Sequence, residues 1–365
     1  MSALQTGNGA PYVIAEVGQN HNGSTGLARE LIRLAGDPRP QDALGAEARE
    51  WLSCSAVKFT KRYLREELSR ELGAMPYTGP HSYGQTYAEH RRALELTWPQ
   101  LEELSEYQAV TQPQLGFGVT VCHQSLVKPA MERVHELAFL KVASRDIENE
   151  PLLQELAMVA TGVPKIVSLG MATAMDVERI LRTFHDQLDE LVLMHCRSIY
   201  PAPPESWDLQ VLFGLQERME PLGVTVGYSD HAIGNAACVA AVAMGALVIE
   251  KHVTLDRRMK GSDHLGSADR GGLYRLLRDL KAVHLGTAGD TLVHLAPEAA
   301  SSHAKLGRSL AWNQTLLPGT EVSERHLALV SPGSGMPWSA RGELVGQLVA
   351  RQVEPLALCA PADVA

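Results

Sequence analysis

The feature that most constrains this chain is a rhythm. Eight short β-branched runs recur, each ending in polar residues: YVIAEVG (12–18), AVKFT (56–60), LGFGVT (115–120), FLKVAS (139–144), KIVSLG (165–170), LVLMHC (191–196), VTVGYSDH (224–231) and ALVIEKH (246–252). Most are separated by segments of helical period, such as MERVHELA, PLLQELAMVA, AMDVERILRTFHDQ and GNAACVAAVAMG. Near-continuous apolar strands that alternate with helices predict a parallel sheet buried on both faces. Eight such units in roughly 250 residues match a closed (β/α)8 TIM barrel. An open doubly wound sheet is the competitor, but no GxGxxG follows the first strand.

Two stretches break the rhythm. Residues 61–99 are long, basic and punctuated by Pro and Gly, as expected of an elaborated loop over the barrel mouth. GDPRPQDALG (36–45) is a polar insertion expected on the outer surface. After about residue 285, turn signals come every few residues and the long helical pattern stops. The expected organisation is a barrel over 1–287, a connection over 288–302 and a small β-rich module over 303–365.

Bulk properties narrow the function. A net charge of −9 argues against a nucleic-acid or membrane-surface binder but leaves room for a local basic pocket. The five cysteines are scattered and include no CxxC, which fits reduced thiols rather than a disulfide framework or a structural zinc site. The N-terminus has no signal-peptide pattern, and the longest apolar run is too short to span a bilayer. A cytoplasmic protein is expected.

In a barrel, chemistry belongs at the carboxyl ends of the strands. Those positions hold Glu16, Asn20 and His21; Lys58; Thr120; Lys141, Ser144 and Asp146; Ser168; His195 and Ser198; Ser229, Asp230 and His231; and His252. His231 closes the seventh strand and His252 the eighth. Adjacent strands lie about 4.8 Å apart, so the two imidazoles could converge on one divalent ion such as manganese. They could equally be structural histidines, each bonded to a barrel carboxylate. Lys58 and Lys141, with the hydroxyls of Thr120, Ser144, Ser168 and Ser229 on the same rim, favour a phosphate-bearing anion.

The motifs IAEVGQNHNGS (14–24), AVKFT, LKVASRD (140–146), VSLGM (167–171), LMHCRSIYPAP (193–203), GYSDH (227–231) and IEKHVTLDRRMKGSDH (249–264) resemble those of the sialic acid synthases and related phosphoenolpyruvate-condensing sugar-acid synthases. The resemblance runs over essentially the whole chain. LGRSLAWNQTLLPGTEVSERHLALVSPGSG resembles the family's small antifreeze-like (SAF) domain. The resemblance implies a transferase that condenses phosphoenolpyruvate with an aldose, giving a 2-keto-3-deoxy sugar acid and phosphate. It implies a divalent metal, manganese first with magnesium or cobalt as alternatives, on His231 and His252. Lys58, Thr120, Lys141, Ser144, Ser168 and Ser229 match positions around phosphoenolpyruvate, and Glu16 matches an acidic residue beside the reacting carbons. Asp146, Asp263 and Tyr200 match sugar-side positions. The family also implies a domain-swapped homodimer in which one chain's small domain reaches over its partner's barrel.

The departures from the family pattern cluster on the sugar side. Ser331-Pro332-Gly333 stands where Arg-Pro-Gly is usual, Ser198 replaces an asparagine, Thr60 a glutamine and Asp146 a glutamate, and Arg145 stands where glycine is usual. Together they imply an acceptor other than N-acetylmannosamine. Two other readings remain: a metal-dependent barrel aldolase, and a catalytically silent sugar- or phosphoenolpyruvate-binding homologue.

Overall fold

The structure is a computed structural model, and it describes Leu4 and residues 10–39, 52–289 and 296–365. The insertion expected at 36–45 lies mostly outside the described residues. The chain divides into two compact units, at Gly289 and Asp290.

The first unit is a closed barrel of eight parallel strands in sequence order. They are β1 (Tyr12–Gly18), β2 (Ala56–Lys61), β3 (Gly116–Val121), β4 (Leu137–Val142), β5 (Lys165–Ser168), β6 (Leu191–His195), β7 (Thr225–Asp230) and β8 (Val248–His252). This is the predicted (β/α)8 architecture. Strand side chains alternate between the two faces. Val57, Phe59, Val119, Leu140, Val167, Leu193 and Ile249 belong to the main apolar core together with helix residues such as Leu31, Leu101, Leu153 and Leu276. A separate cluster of Ile14, Ala56, Phe139, Ile166, Val192, Met194 and Val248 fills the barrel interior below the site. Gly118 makes room for it: a Cβ there would lie 2.2 Å from the Phe139 ring.

The helical pattern read through MERVHELA ends earlier than its apolar residues suggest. The helix stops at Arg133, Glu136 takes a left-handed φ of 48°, and Leu137 already pairs with Phe117 as the start of β4. The long loop after β2 carries short helices at Leu64–Glu67, Arg70–Ala74 and Tyr87–Ala93. Neither of the first two has a fully buried residue, although Glu67 of the first turns its carboxylate inward to Arg62 at 2.8 Å and Arg145 at 2.7 Å.

Among its described residues the second unit carries a short 3-10 turn at Pro297–Ala299 and the helix Ala300–Leu306, and pairs β9 (Ser309–Trp312) antiparallel with β10 (Leu327–Val330). Isolated bridges such as Leu316 with Val353 and Val349 with Val364 extend this small β character. Trp312, Leu310, Val322, Leu344 and Val353 form its own core. All five cysteines are unpaired and buried. No helix among the described residues is long and apolar enough to cross a membrane.

Candidate active site

A cavity of about 410 Å³ opens at the carboxyl ends of the strands. Its floor is a cluster of charge. Glu16 is register-paired with Lys58 on one side and His252 on the other. Lys58 Nζ lies 2.5 Å from Glu16 Oε2 and 3.5 Å from Glu250 Oε2, and donates to Thr120 Oγ1 at 2.7 Å. Lys141 is ion-paired with Glu250, whose Oε1 also accepts from Ser229 Oγ at 3.0 Å. Two lysines, two glutamates and two hydroxyls from six strands therefore meet in one buried patch.

Glu250 is the centre of that patch, and sequence reasoning passed over it. The signal was available: Glu250 and His252 are two apart on β8, so alternation turns both to the barrel interior. The environment separates the two carboxyls. Burial raises the pKa of Glu16, against the opposing pull of Lys58. Glu250 is equally buried, but Lys141 and Lys58 together hold it well below the usual carboxylate range. Burial lowers the pKa of Lys141, whereas the paired glutamates keep that of Lys58 raised.

The two histidines stand beside this patch with ring centroids 5.8 Å apart. His231 Nδ1 lies 2.5 Å from the Arg197 carbonyl oxygen, which only accepts, so Nδ1 carries the hydrogen. Its Nε2 is then a lone pair, facing the Tyr200 hydroxyl at 3.0 Å. Burial, with His252 close by, lowers the pKa of His231 to about 4. Burial lowers that of His252 too, and its Nδ1 is buried without a hydrogen-bond partner. Two neutral imidazoles, one with its tautomer set by a backbone carbonyl and one with an orphaned ring nitrogen, are a donor set that fits a divalent metal. Among the described residues no third His, Cys, Asp or Glu completes a cluster with them. Substrate or water oxygens would supply the remaining positions.

The other expected residues are distributed as follows. Ser144 Oγ accepts from Gly170 N at 3.0 Å and lies 3.2 Å from Cys196 Sγ. Ser168 Oγ is buried in the cavity wall without a hydrogen-bond partner, as is Glu250 Oε2. Ser198, Tyr200 and Asp263 line the mouth. A neighbouring lobe of about 300 Å³ shares Tyr200, Asp263 and both histidines. Asp146 pairs with Arg145 at 3.4 Å, and it is Arg145 that reaches the cavity lining. Ser331 belongs to the second unit, where its hydroxyl donates to the Leu306 carbonyl at 3.1 Å. His195 Nε2 donates to the Trp207 carbonyl at 2.8 Å, a packing role. Asn20 ties the loop after β1 to the segment after β8, donating to Val253 O at 2.8 Å and Ser267 Oγ at 2.9 Å. The long loop also contributes Arg62, Tyr77, Tyr87, His90 and Arg91 to the lining, which the sequence reading had placed there only as a segment.

A closed parallel barrel with paired lysines, paired glutamates and two histidines at its mouth defines a (β/α)8-barrel enzyme. Comparison with known proteins gives the family. The NeuB family profile matches residues 46–290. The chain is 33% identical to the N-acetylneuraminate-9-phosphate synthase of Homo sapiens over 346 residues, 94% of this chain and 89% of that one. It is 30% identical to the N,N'-diacetyllegionaminic acid synthase of Legionella pneumophila, over 92% of this chain and 89% of the other. The crystal structure of the N-acetylneuraminic acid (sialic acid) synthetase from Leptospira borgpetersenii in complex with citrate superposes with a TM-score of 0.65 at 25% identity, covering 82% of this chain and 94% of that one. The chain belongs to the NeuB family.

Proposed function

We propose that this protein condenses phosphoenolpyruvate with an aldose to give a 2-keto-3-deoxy sugar acid and inorganic phosphate. The observation that carries the reading is the Glu16–Lys58–Glu250–Lys141 patch lying beside two neutral, converging histidines. The names of the relatives, synthases of sialic-type sugar acids, support it.

His231 and His252 would hold a divalent metal, manganese by expectation, which when bound supplies Lewis-acid polarisation of the acceptor's aldehyde oxygen. The chain's own residues account for the rest. Lys58 and Lys141 neutralise the phosphate and carboxylate of phosphoenolpyruvate, with Thr120, Ser144, Ser168 and Ser229 as hydroxyl donors. Carbon 3 of phosphoenolpyruvate bonds to the aldehyde carbon, leaving positive character at carbon 2. A water adds at carbon 2, and its oxygen becomes the keto group as the carbon–oxygen bond to phosphate breaks. One water proton ends on the new sugar hydroxyl and the other on the departing phosphate. The raised pKa of Glu16 suits it to take and return a proton during water addition, while Glu250 stays ionised and holds Lys141 in place.

The acceptor in this proposal is not N-acetylmannosamine; Thr60, Arg145, Asp146, Ser198 and Ser331 are the residues that support this. A domain-swapped homodimer belongs to the same proposal and is checked by the mass of the particle in solution. The reaction is tested by phosphate release from phosphoenolpyruvate with manganese and a panel of aldoses. Release that depends on one aldose is expected. Carbon–carbon bond formation from pyruvate without phosphate release would show an aldolase instead.

A further inference from the structure

Tyr200 stands where the cavity divides. It lines both the main cavity and the neighbouring lobe of about 300 Å³. Its ring lies against His231 with centroids 4.0 Å apart and meets His252 edge-on at 6.2 Å, so it packs on both imidazoles. Its hydroxyl takes one particular atom. His231 Nδ1 carries a hydrogen committed to the Arg197 carbonyl, so Nε2 holds the ring's single lone pair. The Tyr200 hydroxyl, 3.0 Å away, donates to that lone pair and has no other hydrogen-bond partner among the described residues.

One lone pair serves one partner. The nitrogen that fits a divalent metal is therefore the nitrogen that the tyrosine caps, and the two occupations exclude each other. The backbone on either side of Tyr200 is anchored: the Arg197 carbonyl holds His231 Nδ1, Ala202 N donates to the His231 carbonyl at 3.0 Å, and Trp207 Nε1 donates to Ala202 O at 3.2 Å. The side chain between these anchors is 56% exposed and borders a second lobe of the cavity, so turning it away from His231 costs little packing. Release forfeits one neutral hydrogen bond and strands no buried charge. His252 carries no such cap, since its buried Nδ1 has no hydrogen-bond partner.

We propose that Tyr200 is a positioning residue gated by the metal: its hydroxyl caps His231 Nε2, is released when a divalent cation takes that lone pair, and then donates to an oxygen of the acceptor. This rests on the synthase reading, in which the acceptor lies at the histidine pair. With the cap in place the hydroxyl is committed to His231, and the acceptor lacks this donor. With the cap released the hydroxyl returns to the cavity within reach of the same point. Metal and acceptor binding are thereby coupled through one side chain, and the coupling is reciprocal.

The test is manganese titration, followed by electron paramagnetic resonance, of wild type and Tyr200→Phe without phosphoenolpyruvate or sugar. The substitution keeps the ring on His231 and removes only the hydroxyl. Tyr200→Phe should bind manganese about three- to tenfold more tightly, the worth of one competing hydrogen bond. A tyrosine that merely packs against the site, or one that ligates the metal, would instead give unchanged or weaker binding, and either result overturns the gate. In protein labelled with 3-fluorotyrosine, the fluorine resonance that Tyr200→Phe lacks should move as diamagnetic zinc is added; a resonance unmoved at zinc saturation overturns it as well. The coupling is read from phosphate release. Raising manganese should lower the wild type's KM for the aldose, and by about three- to tenfold less in Tyr200→Phe; an equal dependence in both counts against the proposal. Failure of every aldose to release phosphate would remove the synthase reading alone, because the manganese titration and the fluorine shift judge the gate without turnover.

Discussion

Asp230 and Lys251 are ion-paired at 2.6 Å, both almost fully buried, directly beside His231 and His252 in the chain. Their register pairing across β7 and β8 turns them to the outer face of the barrel while the histidines face the cavity. The pair is fully engaged. Lys251 Nζ also donates to the Ala232 carbonyl at 2.5 Å, and Asp230 accepts from Ala232 N at 3.0 Å and Cys238 Sγ at 3.3 Å. The backbone on the far side of His231 is therefore clamped from behind.

Removing one partner of this pair leaves an uncompensated buried charge. Lys251→Ala is expected to cost about 3–5 kcal/mol in urea unfolding, whereas Asp230→Asn combined with Lys251→Met recovers most of that loss. The double variant should still bind manganese about tenfold more weakly, because the loop carrying His231 has lost its clamp. Manganese titration followed by electron paramagnetic resonance measures this independently of stability.

The histidines set an acid limit. His21 and His231 both have pKa values lowered to about 4 by burial, so the folded state resists their protonation while the unfolded state accepts it near the ordinary 6.5. The unfolded chain binds more protons in that window. Stability from these two groups is fully present above 6.5 and is lost as pH falls toward 4, on the order of 3 kcal/mol for each. Urea midpoints between pH 7 and 4.5 should fall, and replacing His21 with an apolar residue of similar size should flatten the slope.

Glu16 and Glu250 are expected to fail in different ways. Glu16→Gln should lower kcat by about 10²–10⁴ with little change in phosphoenolpyruvate affinity, since it removes a proton carrier. Glu250→Gln strips Lys141 of its partner carboxylate and weakens the pairing of Lys58. That variant should melt lower when ligand-free, and phosphoenolpyruvate should raise its melting temperature more than it raises the wild type's. Paired thermal melts with and without phosphoenolpyruvate check this.

Gly118→Ala is expected to destabilise by about 1–3 kcal/mol, through overpacking against Phe139 rather than through backbone strain. A compensating Phe139→Leu in the same chain should restore part of the loss in thermal melts.

Much of this was legible in the chain, for reasons particular residues show. The strand runs carry their own period, so β1 was read with the observed ends at Tyr12 and Gly18. Residues at strand ends point to one mouth by topology alone, which placed Glu16, Lys58, Lys141, His231 and His252 together. Glu250 was missed because a charged residue within an apolar strand looks like an interruption until its face is assigned. Arg62, Glu67 and Arg91 were missed because they lie in or beside a loop, and loop side chains have no periodicity to read.

The sequence by itself determined the barrel, the order of its strands and which types of side chain reach its mouth, because each follows from alternation and chain order. Only the tertiary structure decided the pairing of those side chains. Lys58 meets Glu16 and Glu250, and Arg62 meets Arg145 at Glu67, through closures across 42, 192 and 83 positions of chain. Such contacts depend on strand register and loop path. Those paths also set which carboxyl is pushed toward protonation and which is held as an anion, since burial and neighbouring charge act through space.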